Sequence, residues 1–327
     1  MGLSGRGINR MMALGIDLGG TSIKTAVVDI TGAPVGEGHE KTPAEAGVEA
    51  CVEAMLVAAG EAISKAGLRR EQLTGAGIGV PGVVLPAKGL VVEATNLTGW
   101  VNVPLRDIMS RRLGLRVELA NDANAAALGE ARFGAGRNVR NLVLFTLGTG
   151  IGGGIIINGD ILVGANGMGG EIGHTLIEMS RPRPCGCERF GCVEAYAGAL
   201  GIVKRAHEAL AEDWRKHSAL HEVAERGKLE AHHVFDLAWD GDFLAKEIVS
   251  KTAHALAAGI TNILHTLDPE LVLLAGGITK AGPRFLEQVR SMVGEMALRQ
   301  VRDTRVEYAL LGDKAGVTGA AAMLLAA

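Results

Sequence analysis

The sequence predicts an α/β protein of two related lobes with a cleft between them, on three observations. Apolar runs of strand length alternate with helical stretches. The pattern strand, Thr/Gly turn, strand occurs twice, about 130 residues apart, and glycines cluster just after apolar runs. Residues 13–17 read as a buried strand, 18–21 as a turn, and 23–29 as a second strand stopped by Thr31-Gly32. Residues 45–67 place apolar side chains at helical spacing and end on a glycine. Residues 77–82 form a short strand running into a Pro/Gly loop. The strand 116–120 feeds an Ala-rich helix over 121–133. The pattern then returns: strand 141–147, glycine loop 148–154, strand 155–157, the hairpin signal Asn158-Gly159, and a return over 161–163. Residues 201–248 read as a charged, solvated helical surface holding five of the nine histidines. A helix over 252–267 is broken by Asp268-Pro269. A strand over 271–274 runs into Ala275-Gly276-Gly277, a helix follows from 283 to about 298, and 316–327 form a small-residue helix packed between or against the lobes.

Composition narrows the function. The 327 residues suffice for two domains, and 48% hydrophobic with 21% charged residues is ordinary for a soluble globular chain. Aromatics are 3%, so the core is aliphatic and stacking platforms for single-stranded nucleic acid are not expected. A net charge of −3 gives no electrostatic attraction to nucleic acid or an anionic membrane. No stretch approaches the ~20 apolar residues of a membrane span. Arg6 and Arg10 are followed too soon by Asp17 for a secretory segment, so a cytoplasmic protein is expected. The 47 glycines suggest loops that approach a ligand closely, since glycine has no Cβ.

Two phosphate motifs nearly match and fail on context. Gly148, Gly150 and Gly153 have dinucleotide-loop spacing, but the loop enters Ile155-Ile156-Ile157 and a hairpin instead of a helix. Lys24-Thr25 is preceded by Ile23 where a P-loop needs glycine. What remains is an anion site built from hairpin turns, in which backbone N–H groups form a concavity and Thr21 and Thr149 add hydroxyls. Asp17 can hold Mg²⁺ through water.

Asp17-Leu18-Gly19-Gly20-Thr21 with Lys24, then Asn121-Asp122, Gly148 to Gly154 and Leu274-Ala275-Gly276-Gly277 together resemble the actin/hexokinase/Hsp70 ATPase superfamily. More narrowly, the chain resembles the ROK family of bacterial sugar kinases and repressors, from about Ala13 to its C-terminal helix. The resemblance implies an actin-like ATPase fold of two ribonuclease-H-like lobes. One lobe would be 1–120 plus about 302–327, and the other 121–301 with the zinc site and the adenine-binding loop. It implies Mg·ATP bound by Asp17, Gly19, Gly20, Thr21, Lys24, Gly148, Thr149, Gly150, Gly276 and Gly277. A hexose would be bound by Gly79, Asn96, Asn121, Asp122, Glu171, His174 and Glu194. It also implies a homo-oligomer, dimer or tetramer.

Phosphoryl transfer to a sugar hydroxyl needs positioning, charge stabilisation and a carboxylate that takes the proton. Asp122, where a strand turns into a helix, fits that role; alone, an Asn-Asp pair there reads more readily as a helix cap, and the resemblance in the motifs around it turns the reading to the base. Buried carboxylates need partners, which Glu171 and Glu194 are expected to have.

Cys185, Cys187 and Cys192 with His174 offer the three thiolates and imidazole of a closed tetrahedral zinc site, redox-active or incidental cysteines being the alternatives. The ROK signature raises the zinc reading. Its Gly-x-Glu-x-Gly-His half stands at 169–174, and its Cys-x-Cys-Gly-x₂-Gly-Cys-x-Glu half at 185–194. Glu188 replaces the pattern's glycine, so the turn is expected to suit a residue with a Cβ. The zinc would be structural, holding His174 and the Glu194 segment. Cys51 is expected in the core.

Three functions follow: an ATP-dependent hexose kinase, a sugar-sensing repressor, or a silent sugar-binding protein. ROK repressors carry a winged helix before the first loop, and 16 residues precede Asp17 here, so DNA binding is not expected. Residues 96–105 resemble ROK glucokinases and favour glucose over N-acetylmannosamine, N-acetylglucosamine, fructose, mannose or allose. The zinc cluster favours ATP over polyphosphate.

Overall fold

Burial on both faces marks the strand at residues 76–80 as the interior of a parallel sheet, and the first half of the chain is built around it. The computed structural model describes residues 11–213 and 217–325; Arg6, Arg10 and the last two residues of the expected C-terminal helix lie outside them. The chain forms two compact units. One holds the chain up to Asn138, Gly154–Gly169 and Asp313–Ala327; the other holds Val139–Gly153 and Gly170–Gly312.

In the first unit come β1 (Met12–Leu18), β2 (Ser22–Asp29), β3 (Pro34–Lys41), α1 (Gly47–Lys65) and β4 (Ala76–Val80). A three-stranded antiparallel sheet follows, β5 (Val83–Leu85), β6 (Leu90–Glu93) and β7 (Val101–Val103), then α2 (Leu105–Leu113), β8 (Val117–Asn121) and α3 (Asp122–Phe133). The main sheet has the order β3-β2-β1-β4-β8, with β1, β4 and β8 parallel. Its core gathers Leu14, Ile16, Met55, Trp100, Leu105 and Met109, and Cys51 is buried among them as expected.

From Val139 onward come β9 (Leu142–Leu147), β10 (Ile151–Ile157), β11 (Asp160–Ile161), α4 (Glu194–Ala197), α5 (Ala199–Glu212), α6 (Leu220–Glu225), α7 (Ala231–Trp239) and α8 (Phe243–Leu267). Then follow β12 (Leu271–Ala275), α9 (Pro283–Met296), β13 (Arg305–Tyr308) and α10 (Ala315–Ala322). The second five-stranded sheet has the order β11-β10-β9-β12-β13, with β9, β12 and β13 parallel. Asn158 and Gly159 both have positive φ, 55° and 89°, the hairpin geometry their dipeptide signals, although the returning strand spans only 160–161. Asp268 caps α8 in a left-handed conformation where the sequence breaks the helix.

The C-terminal helix α10 packs on β1, β4 and α3, all within the first unit. The approach is backbone on backbone. A Cβ at Gly15 would overlap the Val317 carbonyl, one at Gly77 the Ala320 carbonyl, and one at Gly319 the Ala125 carbonyl. This is why α3 and α10 are written in Ala and Gly. It also places residues 121–138 with the first unit, while 305–308 fall in the second, so the units divide elsewhere than at the expected 120/121 and 301/302. Among the described residues no helix is long and apolar enough to cross a membrane.

Candidate active site

The register of β1, β4 and β8 sets Asp17 beside Gly79 and Gly79 beside Ala120, gathering the expected residues of the first unit at the carboxyl ends of three parallel strands. Asn121, not Asp122, caps α3. Its Oδ1 accepts the Ala123 amide at 2.9 Å and the Asn124 amide at 3.2 Å, while its Nδ2 donates to the Gly82 carbonyl at 3.0 Å. Asp122 is thereby the first helical residue, where a negative charge is favoured, and its Oδ1 also accepts the Ala123 amide at 2.8 Å.

Asp17 is half-buried, and its carboxyl is pushed up to about 6 by burial and by the Asp122 charge, against the lowering pull of Lys24. Lys24 sits opposite Asp17 in the β1–β2 register, with its ammonium 3.5 Å from the Asp313 carbonyl. Gly79 leaves the space between the acids open: a Cβ there would lie 3.7 Å from the Asp122 Cα and 3.8 Å from Asp17 Oδ1. The turn 19–21 follows Asp17, and exposed Asn96 lies beside Gly20.

The second unit holds the remaining expected residues. Thr146 pairs with Ala275 at the ends of parallel β9 and β12, so the 148–150 and 276–277 loops are neighbours. Gly276, at φ 95°, lies flat against the Leu147 backbone. Gly148 donates to the Gly150 carbonyl at 3.0 Å, and the first amides of α5 donate to the Gly148 and Thr149 carbonyls at 3.0 and 3.2 Å, which fixes the loop to the helix. Gly148, Thr149 and Gly277 line a cavity of about 690 Å³ with Leu200, Val203 and Phe235 among its walls. This corrects the reading of 201–248 as solvated surface, since α5 and α7 form the apolar walls and His232 stands among the lining residues. The signal was present in the spacing of Val234, Phe235 and Ala238, which are buried together on α7.

His174, Cys185, Cys187 and Cys192 bring their ligand atoms within 4.8 Å of one another. Tetrahedral zinc with Zn–S near 2.3 Å separates its ligands by about 3.8 Å. The Cys187 and Cys192 sulfurs are 3.8 Å apart, and Cys185 Sγ is 3.7 Å from His174 Nδ1, so the donor set fits the ion. Burial pushes the Cys185 thiol up, and burial with the neighbouring Cys187 pushes Cys192 up, while at Cys187, against its own burial, hydrogen bonds from the Arg189 backbone and from the Cys185 and Cys192 side chains bring the thiol down. The knuckle turns on the Glu188 amide donating to the Cys185 carbonyl at 3.1 Å and the Cys185 amide to Arg189 at 2.8 Å. Glu188 has φ 63°, the left-handed conformation of a glycine. The turn therefore does not suit a residue with a Cβ, contrary to expectation.

Glu194 has the partners a half-buried acid requires. Its Oε2 accepts the Ile151 amide at 2.9 Å, and its Oε1 accepts from Cys185 Sγ at 3.2 Å. The carboxylate therefore ties the glycine loop to the cysteine cluster, and a Cβ at Gly150 would overlap it. Glu171 Oε2 lies 3.8 Å from His174 Nε2.

Parallel strands ending in acids and glycine hairpins, set in two five-stranded sheets, define an α/β chain of the actin-like ATPase fold. The sequence profile of the ROK family matches residues 13–327, and the chain belongs to that family. It is 37% identical to a glucokinase of Halalkalibacterium halodurans over 94% of this chain and 92% of that one. It is 30% identical to a xylose repressor of Caldicellulosiruptor bescii, covering 95% of this chain and 77% of the repressor. Among solved structures, a ROK family glucokinase from Streptomyces griseus in complex with glucose and AMPPNP superposes with a TM-score of 0.78 at 32% identity, covering 95% of this chain and 98% of that one.

Proposed function

We propose that this protein transfers the γ-phosphoryl group of Mg·ATP to a hexose, glucose first, with Asp122 as general base. The observation that carries the assignment is the start of α3: Asn121 caps the helix, and Asp122, whose Oδ1 also accepts the Ala123 amide, stands at the carboxyl end of β4 and β8 near the Asp17 charge. The sugar hydroxyl gives its proton to the Asp122 carboxylate as its oxygen attacks the γ-phosphorus, and ADP departs. Mg²⁺ held through water near Asp17 would screen the phosphate charge. Gly19, Gly20, Thr21, Lys24, Gly148, Thr149, Gly150, Gly276 and Gly277 would hold the nucleotide. Gly79, Asn96, Asn121, Glu171, His174 and Glu194 would hold the sugar. Zinc on His174, Cys185, Cys187 and Cys192 would be structural and fix the strand of chain that carries Glu194. A cytoplasmic homo-oligomer, dimer or tetramer, is the expected state, and sedimentation checks it.

The test is ADP release against glucose, fructose, mannose, allose, N-acetylglucosamine and N-acetylmannosamine, with ATP and polyphosphate as donors. Glucose with ATP should give the highest kcat/KM. Asp122→Asn should lower kcat by at least about 100-fold while glucose still binds. A fully active variant would remove Asp122 from the role. The likeness to a xylose repressor supports one other reading, a sugar sensor without turnover. A chain that releases no ADP with any sugar and shifts duplex DNA in a salt-dependent way would establish it.

A further inference from the structure

Thr42 was singled out by no motif, yet it holds two carbonyls of the first glycine turn. It follows the last residue of β3 and is 4% exposed. Its Oγ1 donates to the Gly19 carbonyl at 2.7 Å, and its amide donates to the Thr21 carbonyl at 3.1 Å. The turn is also closed by the Gly19 amide, which donates to the Ser22 carbonyl at 3.0 Å. Thr42 is itself anchored. Next to it, the Pro43 carbonyl accepts from Cys51 Sγ of α1 at 3.6 Å, and the Ala44 carbonyl accepts the Thr98 amide at 2.8 Å.

An anion-binding turn works by aiming its amides, and each peptide plane fixes its N–H and C=O in opposite directions. Holding the carbonyls of Gly19 and Thr21 inward, on Thr42, therefore turns the N–H groups of Gly20 and Ser22 away from that post. A glycine pair has the most backbone freedom to lose, so an external post matters more here than in an ordinary turn.

We propose that Thr42 is a positioning residue for the nucleotide, setting the amides of the 19–22 turn for the phosphates while touching neither ATP nor sugar. The inference rests on the kinase reading for which ligand is held, and on the hydrogen bonds for how. Thr42→Val keeps the shape and the amide bond and removes only the hydroxyl; Thr42→Ser restores it. Thr42→Val should raise the KM for ATP about tenfold, from one hydrogen bond to a carbonyl left without its donor, with the KM for glucose unchanged. Thr42→Ser should return the ATP value to within about twofold.

The same contrast should appear in the Kd of Mg·ADP by calorimetry, which needs no turnover. A wild-type chain inactive on every sugar would defeat the kinase reading and leave the ADP comparison standing as the test of Thr42. A Thr42→Val protein with wild-type ATP and ADP constants overturns the proposal. So does one that melts lower but loses ATP and glucose affinity equally, because that is a merely structural role. If Thr42→Val does not fold, Thr42→Ala carries the same comparison with less bulk to place.

Discussion

Asp17 shows what a site-ready carboxylate costs the fold. Its carboxyl titrates near 6 in the folded chain against 3.8 for an ordinary aspartate, so the folded state holds the proton more tightly than the unfolded one. The raised value helps folding fully below about pH 4, and that help is lost as pH rises through about 6. Above it, an ionised Asp17 faces Asp122, with Lys24 partly offsetting the repulsion. Asp17→Asn should accordingly melt higher than wild type at pH 8 and show no such gain at pH 4, measured by calorimetry without nucleotide. An equal shift at both pH values would exclude the ionisation as its cause. Glu188 bears a different cost, a side chain in the left-handed region at φ 63°, worth about 1 kcal/mol. Glu188→Gly should raise the unfolding free energy by about that amount in urea. A loss would mean that Glu188 makes contacts that outweigh its backbone strain. Both residues were visible in the sequence as motif positions, and their energetics were not. The choice between Asn121 and Asp122 as cap was likewise open, because the two residue types cap helices equally well and only the hydrogen-bond geometry separates them.

Among the elements, long apolar runs such as β9 and the second half of α8 were legible, and β3 and α2 were not. The inward positions of β3 are Gly36 and Gly38, which let the strand lie against the backbone of α1 at Ala62 and Ala58. The strand thus shows no alternating apolar signal. The helix α2 buries only Leu105, Met109 and Leu113 among three arginines and one acid, a stripe too thin to announce itself. The same economy makes the contact between α3 and α10 intolerant. Gly319→Ala must push α10 off the Ala125 carbonyl, with α3 and β1 held by neighbouring glycines, and should cost about 3 kcal/mol in urea unfolding. Gly60, on the exposed face of α1 with nothing within 4 Å of a Cβ, is the opposite case. Gly60→Ala should stabilise by about 0.5–1 kcal/mol through the unfolded chain. Equal effects at the two glycines would show that composition, not close packing, sets their worth.

Over the whole molecule the motifs were readable but their company was not. The glycine loop at 148–150 stood out in the sequence, whereas the cavity it lines takes walls from residues about 50 to 130 positions later, which no local pattern links. The metal site has the reverse character, since its four ligands lie within 19 residues and all belong to the second unit. The core of the first unit, around Met55, Trp100 and Met109, contains none of them, and its one cysteine, Cys51, is buried in apolar contacts. Metal binding energy appears as folding energy only for the part that builds the site, and a chain of two compact units need not unfold in one step. Removing zinc with a chelator should therefore lower the unfolding temperature of the transition that belongs to the second unit and leave the other in place. Calorimetry with and without chelator resolves the two, and hydrogen exchange at β1 and β12 assigns them. Cys187→Ser should reproduce the chelated trace and lose the metal by elemental analysis, while Cys51→Ala should keep the full zinc content. A trace indifferent to the chelator would mean that the four residues meet without holding a metal. Glu194 would then keep the bond it accepts from the Cys185 thiol, which a zinc-bound thiolate could not donate, alongside the Ile151 amide of the glycine loop.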